Sequence, residues 1–284
     1  MNGAIYARRR RVNAAMLTLT AACAVLSASV LLAILGYIAW KGASSLSWAF
    51  LTNLPKPVGE AGGGIANAIV GSAKVVGLAG LIGIPVGVAS GVYLAEYGRR
   101  GRFAFCVRYA ADVMNGVPSI VIGLFAYALI VMPMKRFSAL SGSVALALIM
   151  IPIVLRNTEE FLRLVPGTIR EAALALGVPR WKVVLFVMVP TAGRGILTAA
   201  LLALARVAGE TAPLIFTAFG NRFWDDGMLN PIATLPHAIY NYAISPYEDW
   251  HRQAWAAALI LMLFVLAINV AARLWLRPSA GAAH

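Results

Sequence analysis

Residues 156–190, RNTEEFLRLVPGTIREAALALGVPRWKVVLFVMVP, form the most charged segment of a chain that is otherwise dominated by apolar residues. Pro166 precedes a run of helix-forming composition at 168–176. Gly177 follows where the C-terminus of a helix favours a residue with positive φ, and Pro179 then acts as a stop. The segment predicts a short helix, a tight turn and a second short helix, beginning at 179–181, that leads into the next apolar stretch.

The overall composition is that of a membrane protein. Of the 284 residues, 61% are hydrophobic and 12% are charged, and the mean hydropathy is +0.79. A soluble domain carries roughly 25% charged residues. The excess of apolar side chains indicates that much of the protein surface faces lipid.

Six apolar stretches are long enough to cross a bilayer, for which a helix needs roughly 20 residues. Five of them contain few charges: 12–40, 61–95, 113–134, 137–155 and 253–272. The sixth, 183–220, contains Arg194, Arg206 and Glu210. The predicted fold class is an all-α polytopic membrane protein with about six transmembrane helices, the first at about 14–40, in a single domain over 1–284.

Basic residues predict the orientation of the chain, because Lys and Arg near the ends of spans are retained in the cytoplasm. With both termini inside, the inner segments hold most of them, at 8–11, 99–108, 156–182 and 273–277. Lys135 and Arg136 go against this bias. The net charge of +13 is spread over four segments and forms no single patch, so topology explains it better than nucleic-acid binding.

Glycines indicate where backbones turn or approach closely. Gly83 and Gly87 have the GxxxG spacing that lets a second helix pack against the stretch at 61–95. The run at 62–64, three consecutive glycines, is interpreted as a flexible turn, with an anion cradle of backbone N–H groups as the alternative.

The segment at 156–190 also carries a family motif: E-A-A, three residues, Gly, nine residues, an aliphatic residue, any residue, an aliphatic residue and Pro. The matching positions are Glu171, Ala172, Ala173, Gly177, Val187, Val189 and Pro190. The chain thereby resembles the permease subunits of bacterial ABC importers. The resemblance implies a type I permease fold whose coupling segment, at about 156–190, docks on an ATPase subunit through Glu171, Ala172, Ala173, Leu174 and Gly177. An ordinary amphipathic connector helix is the alternative.

A helix-turn-helix of this shape fits a groove on a partner. We expect its apolar contact surface to consist of Ala172, Ala173, Leu174 and Leu176.

Other stretches narrow the resemblance to PstA-type phosphate permeases. They include GGGIANAIVGS at 62–72, PVGVASGVYLAEY at 85–97 and ARVAGETAPLIFTA at 205–218, within a family-like region of about 62–276. The resemblance implies translocation of inorganic phosphate across the bacterial inner membrane by alternating access. A permease for another oxyanion, such as molybdate or sulfate, is one alternative, and a passive channel is another.

The expected partners follow from the same resemblance. They are a PstC-like second permease, two PstB-like ATPase subunits, a PstS-like phosphate-binding protein and the lipid bilayer, with no nucleic acid. The chain has no GxxxxGK[ST] motif, so ATP and Mg²⁺ are expected on the ATPase subunits, with no cofactor on this chain. No catalytic residue and no metal site is predicted, since His237, His251 and His284 lie far apart without ligand spacing.

Arg206, Glu210 and Thr211 are the candidates for the translocation pathway. Arg206 and Glu210 are separated by four residues in an apolar stretch, so on one helix face they could pair. Charges at membrane depth usually mark a pathway. Arg206 could offer bidentate donors to phosphate while Glu210 holds Arg206 when the path is empty, and Thr211 could add a hydroxyl. The alternative is a structural clasp near Pro213, where the helix is expected to break.

The remaining charged residues, within the spans and at their boundaries, are expected to have structural roles. Lys74 is expected to snorkel to the interface. Neighbouring arginines or water are expected to satisfy the acids of the cytoplasmic boundary, namely Glu96, Asp112, Glu159 and Glu160. Aromatic residues of the last outer connection are expected to form an interfacial belt; they are Trp224, Tyr240, Tyr242, Tyr247, Trp250 and Trp255.

Overall fold

The computed structural model describes residues 3–60, 62–98 and 101–275, and these residues are predominantly helical. The first half of the chain contains α1 (Gly3–Ala43), α2 (Trp48–Thr52), α3 (Ala66–Glu96), α4 (Arg102–Gly116), α5 (Ser119–Ala126), a π-helical turn at Tyr127–Val131, and α6 (Met132–Met134). Arg99, Arg100 and His284 lie outside the described residues, as do the basic residues beyond 275.

The second half begins with α7 (Ala139–Leu164), α8 (Gly167–Ala175) and α9 (Arg180–Val183). A second π-helical turn, Val184–Met188, joins α9 to α10 (Val189–Ala208), and α11 (Ala212–Thr217), α12 (Leu235–Ala243) and α13 (Glu248–Trp275) complete the order. Within the described residues there is no β-strand, only an isolated bridge between Phe219 and Ile232.

Among the residues that the structure describes, five helices are long and apolar enough to span a membrane, which confirms the predicted fold class. They are Ile5–Ala43, Ala66–Glu96, Ala139–Leu164, Arg180–Ala208 and Glu248–Ala271. A sixth span is possible if a bent helix pair counts as one crossing.

That bent pair corrects the prediction of one continuous helix at 113–134. Helix α4 ends at Gly116, and the axis turns by 109° before the helix resumes over Ser119–Met134. Val117 is extended, with ψ of 131°, because the ring of Pro118 disfavours a helical residue before it and removes a backbone donor. The segment after the bend is only about 24 Å long at 1.5 Å per residue, so it is a short, broken span.

The centre of the bundle is the close pair of α3 and α7. A Cβ at Gly87 would lie 2.7 Å from the Cβ of Val154, and a Cβ at Gly91 would lie 2.6 Å from the Cβ of Thr158. Gly83 faces Met150 in the same seam. The close approach predicted from the Gly83 and Gly87 spacing is therefore confirmed, and it extends one turn further to Gly91.

The glycine run at 62–64 forms the predicted turn, which packs against α2. Gly62 has φ of +79°, and its carbonyl accepts a hydrogen bond of 2.9 Å from the side-chain amide of Asn53. A Cβ at Gly64 would lie 2.5 Å from the Asn53 carbonyl oxygen. The run therefore connects α2 to the start of α3 through close backbone contact.

Helix α1 lies at the edge of the bundle, with its most apolar window unburied in the chain. It packs against α13, where Tyr37 and Trp255 meet edge to face with ring centroids 5.2 Å apart. A Cβ at Gly42 would lie 2.7 Å from the carbonyl oxygen of Trp255. The rest of the α1 surface remains available to lipid or to another subunit.

Candidate functional site

The helix-turn-helix predicted at the centre of the charged segment is present. Helix α8 begins at Gly167, directly after Pro166, and ends at Ala175. Gly177 has φ of +78°, and its N–H donates to the Leu174 carbonyl at 3.0 Å. The next helix begins at Arg180 with Pro179 in the N-cap position. We call residues 166–183 the knuckle.

The outer surface of the knuckle is apolar. Leu176 is 83% exposed and Leu174 is 41% exposed, and Glu171, Ala172 and Gly177 are exposed beside them. Large exposed apolar residues grouped on a short helix mark an interaction surface. Trp181, which the sequence interpretation did not include, adds an exposed indole beside this surface.

Ala173 does not belong to this outer surface, contrary to prediction. It packs inward with Ile169 and Val178 against a cluster that contains Leu162 and Met188. The reason is helical periodicity, since positions 169 and 173 are four residues apart and share the inner face of α8. Ala173 therefore holds the knuckle to the bundle.

The knuckle is attached to α3 by a buried ion pair. The guanidinium of Arg170 donates from Nη2 to Glu96 Oε1 at 2.5 Å, and the Glu96 side chain is only 1% exposed. Arg180 donates from Nη2 to the Glu96 backbone carbonyl at 2.6 Å and lies over the Tyr97 ring. The two short helices of the knuckle thus share one anchor at the end of α3.

A second buried carboxylate, Glu159, forms ion pairs with three arginines. Its Oε1 accepts from Arg108 Nε at 2.7 Å and from Arg163 Nη2 at 2.5 Å, and its Oε2 accepts from Arg156 Nη1 at 3.3 Å. Arg108 also donates to the backbone carbonyls of Leu94 and Gly98, each at 3.0 Å. This ionic cluster, defined by Glu159 and its three arginines, joins α3, α4 and α7.

The expectation that arginines satisfy the boundary acids is confirmed for Glu96, Asp112 and Glu159. Asp112 pairs with Arg156, which bridges it to Glu159. Glu160, one position further along α7, is exposed to solvent.

Helix α10 ends between the two charged candidates for the pathway. The helix stops at Ala208, and Glu210 follows outside it, half-buried. The predicted pairing of Arg206 with Glu210 is therefore wrong: no ion pair joins them, because Gly209 ends the helix before the i, i+4 geometry is reached. Arg206 is exposed, and it has no ion pair within the part of the chain that the structure describes.

Two threonines lie near this break, and one of them uses its hydroxyl to bond the backbone. Thr217 Oγ1 donates to the Pro213 carbonyl at 2.7 Å, as hydroxyls in membrane helices commonly do. Thr211, half-buried, precedes α11, whose second residue is Pro213. The predicted break near Pro213 is confirmed, although the disruption begins at Gly209.

Lys74 has a specific partner, which corrects the snorkelling interpretation. Its Nζ donates to both carboxylate oxygens of Asp225, at 2.9 and 2.7 Å, and the Asp225 side chain is only 6% exposed. The pair joins α3 to the connection between α11 and α12. Of the aromatic residues predicted to form an interfacial belt, Trp250 packs against Tyr242 and Tyr247, and the position of the belt relative to the membrane stays a prediction.

Sequence reasoning missed the residues whose role depends on distant partners. Arg108, Arg170, Arg180 and Asp225 were not singled out, although each binds a group more than ten residues away. The available signal was the excess of arginine near 96, 112 and 159, where each acid needs a counter-charge.

A bundle of helices long and apolar enough to span a membrane, with an exposed knuckle ionically attached to its central helix, defines a multi-pass membrane protein with one prominent surface projection. Residues 83–277 match the family described as "Binding-protein-dependent transport system inner membrane component". The chain belongs to this family of transport components.

Its relatives point to one branch of that family. Proteins named "Phosphate transport system permease protein PstA" are 44% identical in Yersinia pestis, over 93% of this chain and 90% of the relative, and 47% identical in Xylella fastidiosa strain Temecula1, over 95% and 94%. The Haemophilus influenzae relative of the same name is 46% identical over 94% of each chain. The chain is thus similar to PstA proteins along nearly its whole length.

Solved structures show the same fold. The inward-facing MetNI methionine ABC transporter matches with a TM-score of 0.62 at 18% identity, covering 75% of this chain and 96% of that one. An amino acid ABC transporter crystallised with histidines matches with a TM-score of 0.57 at 20% identity, covering 75% and 92%. The fold is therefore that of type I ABC importer permeases.

Proposed function

We propose that the chain is one membrane-spanning subunit of an ATP-driven importer that moves inorganic phosphate across the bacterial inner membrane by alternating access. The observation that carries the proposal is the similarity to PstA phosphate permeases over more than nine-tenths of the chain. The exposed knuckle supports the ATP-driven part of the proposal, since a passive channel needs no docking surface for an ATPase.

The knuckle is the proposed site of coupling. Glu171, Ala172, Leu174 and Gly177 present its outer surface to the ATPase, and Leu176 extends that surface. When the ATPase moves the knuckle, the Arg170–Glu96 pair transmits the displacement to α3. Nucleotide can shift the packing of the bundle only by binding its states unequally. ATP and Mg²⁺ act on the partner ATPase subunits and this chain holds neither.

The proposed assembly contains a PstC-like permease, two PstB-like ATPase chains and a PstS-like binding protein that delivers phosphate. The N- and C-termini lie in the cytoplasm, on the same side as the knuckle. The bias of basic residues toward inner segments supports this orientation.

Arg206 is the proposed phosphate contact within the membrane, with Glu210 and Thr211 beside it. Two observations support the pathway role over the clasp: Arg206 is exposed, and it has no ion pair with Glu210 or any other described residue. A planar guanidinium presents paired donors that match a phosphate.

The proposed function is tested by ATP-dependent uptake of radiolabelled phosphate into vesicles that contain the reconstituted complex. Unlabelled phosphate, sulfate and molybdate are added as competitors in separate reactions. We expect uptake that requires ATP and binding protein and that only phosphate competes. Uptake of sulfate or molybdate in place of phosphate would reassign the substrate, and uptake without ATP would identify a passive channel.

A further inference from the structure

A cavity of about 460 Å³ lies at the end of the bundle opposite the knuckle. It is enclosed by the start of α3, by α12 and by the connection that follows α11. Helix α3 is 31 residues long, so its first residue is about 45 Å from Glu96, which holds the knuckle. The cavity therefore faces the side of the membrane from which an importer receives its substrate.

The charge of the cavity wall favours an anion. Arg222 and His237 contribute to the wall, and no acidic residue does so among the described residues. Two of the neighbouring acids are engaged elsewhere, Asp225 by Lys74 and Asp249 by Arg252. The guanidinium of Arg222 lies 5.8 Å over the Trp250 ring and makes no hydrogen bond or ion pair within the described part of the chain.

A neutral imidazole lines the same cavity. His237 and Asn241 are one turn apart on α12, and the Asn241 amide lies 3.2 Å from His237 Nε2. Burial lowers the pKa of His237, so its imidazole is neutral at physiological pH. With Nε2 accepting from the Asn241 amide, the ring proton is assigned to Nδ1.

Gly220 is needed beside this imidazole. Its φ is +86°, and a Cβ there would lie 2.6 Å from His237 Nδ1. Any larger residue at 220 would displace the ring from its place in the cavity wall.

Asn67 supplies an unused acceptor in the same wall. Its side-chain Nδ2 donates to the backbone carbonyl of Asn221 at 2.7 Å, and because a carbonyl can only accept, this contact identifies the amide nitrogen. The oxygen Oδ1 is buried and has no partner among the described residues. It is shielded from solvent, so a ligand in the cavity contacts it only if the wall moves. A ligand that carries a donor would satisfy it.

We propose that this cavity is an oxyanion-binding site for phosphate on the receiving side, with Arg222 as the cationic donor and Asn67 as the acceptor for the phosphate hydroxyl. Phosphate at neutral pH keeps at least one P–OH group, whereas sulfate and an ionised carboxylate have none. The arrangement therefore accepts a protonated oxyanion in preference to a fully ionised one. This inference rests on the proposed function, since it deepens the assignment of phosphate as substrate.

The test is binding of radiolabelled phosphate to the full importer complex in lipid nanodiscs, in the absence of the binding protein and of nucleotide. Native complex is compared with Arg222→Gln and with Arg136→Gln, which removes one positive charge from an exposed residue that does not line the cavity. We expect at least tenfold weaker phosphate binding for Arg222→Gln, unchanged binding for Arg136→Gln, and little displacement of phosphate by equimolar sulfate from the native complex.

Native affinity in Arg222→Gln, or equal losses in both variants, would overturn the site. Displacement by sulfate as effective as by phosphate would overturn the acceptor role of Asn67. ATP-dependent phosphate uptake by the native complex is measured in parallel. It distinguishes failure of the binding site from failure of the proposed function. If native uptake is intact while binding is insensitive to Arg222, the site fails and the proposed function stands; if the native complex takes up no phosphate, the proposed function fails.

Discussion

The guanidinium of Arg170, on the knuckle, lies 2.5 Å from the carboxylate of Glu96, the last residue of α3. These two residues are 74 positions apart in the chain, and their contact joins the knuckle to the central helix of the bundle. The Glu96 side chain is almost wholly buried, so the pair has little competition from water.

Replacing Glu96 by Gln is expected to uncouple the knuckle from α3. Removing one partner of a buried pair costs roughly 3–5 kcal/mol, because the other charge stays buried. We expect a lower melting temperature of the complex and a fall in phosphate transported per ATP hydrolysed. The matched control is Asp249→Asn, which breaks a pair on the opposite, exposed face. Equal coupling ratios in Glu96→Gln and native complex would contradict the assignment.

Glu159→Gln should be more damaging than Glu160→Gln, its neighbour on α7. Glu159 is buried and accepts from three arginines, whereas Glu160 is exposed. Loss of the Glu159 charge leaves Arg108 without its carboxylate, at a cost of about 3–5 kcal/mol, while a surface substitution stays within about 0.5 kcal/mol. Thermal unfolding of the two purified variants measures the difference, and similar melting temperatures would argue against a structural role for the ionic cluster.

Two glycines of α3 make a matched pair for testing the seam with α7. A Cβ at Gly87 meets Val154 at 2.7 Å, whereas a Cβ at Gly77 meets nothing within 4 Å. Gly87→Ala should destabilise the protein by roughly 1–3 kcal/mol through overpacking, and Gly77→Ala should be neutral or slightly stabilising because alanine favours the helix. Unfolding of both variants in the same detergent provides the measurement, and the reverse order would place the tight contact elsewhere.

Arg206→Gln is expected to abolish phosphate uptake without preventing assembly. The side chain is exposed and has no ion pair or hydrogen bond among the described residues, so its replacement removes the proposed donor without breaking a polar contact. Arg194→Gln, an exposed arginine in the same helix, is the control and should transport normally. Uptake at the native rate by an assembled Arg206→Gln complex would return Arg206 to a structural role.

The stability of the end of the bundle that contains the cavity should depend on protonation of His237 at mildly acidic pH. Burial lowers the pKa of His237 below its ordinary value of 6.5, so the unfolded chain binds a proton more readily than the folded one. Stability is then unaffected above about pH 7 and falls as the pH drops below 6.5. Melting temperatures at pH 7.5 and 5.5 should therefore differ more for native protein than for His237→Asn, and equal differences would show that other groups dominate.

Local and compositional features were predictable from the sequence. Apolar length located the spans, and Gly177 between Leu176 and Pro179 located the turn of the knuckle, because a positive φ and a missing N–H act over only a few residues. Pro118 was an equally local signal for the bend after α4. The prediction followed the apolar run around it and therefore missed the bend.

Long-range pairing was not predictable in the same way. The partners of Glu96, Glu159 and Lys74 depend on which helices lie side by side, and the sequence alone does not specify this. The expected pairing of Arg206 with Glu210 failed for a related reason. It assumed an unbroken helix through Gly209, whereas the chain leaves the helix at that residue.

The glycine seam gives α3 the geometry of a lever. Gly83, Gly87 and Gly91 hold it tightly against α7 in its C-terminal half, while its two ends carry Glu96 on the knuckle side and Asn67 at the opposite cavity. If α3 pivots on that seam, the arm toward Asn67 is the longer one. A displacement of the knuckle would then arrive at the far membrane face enlarged and reversed in direction, so that pushing on one end opens or closes the other.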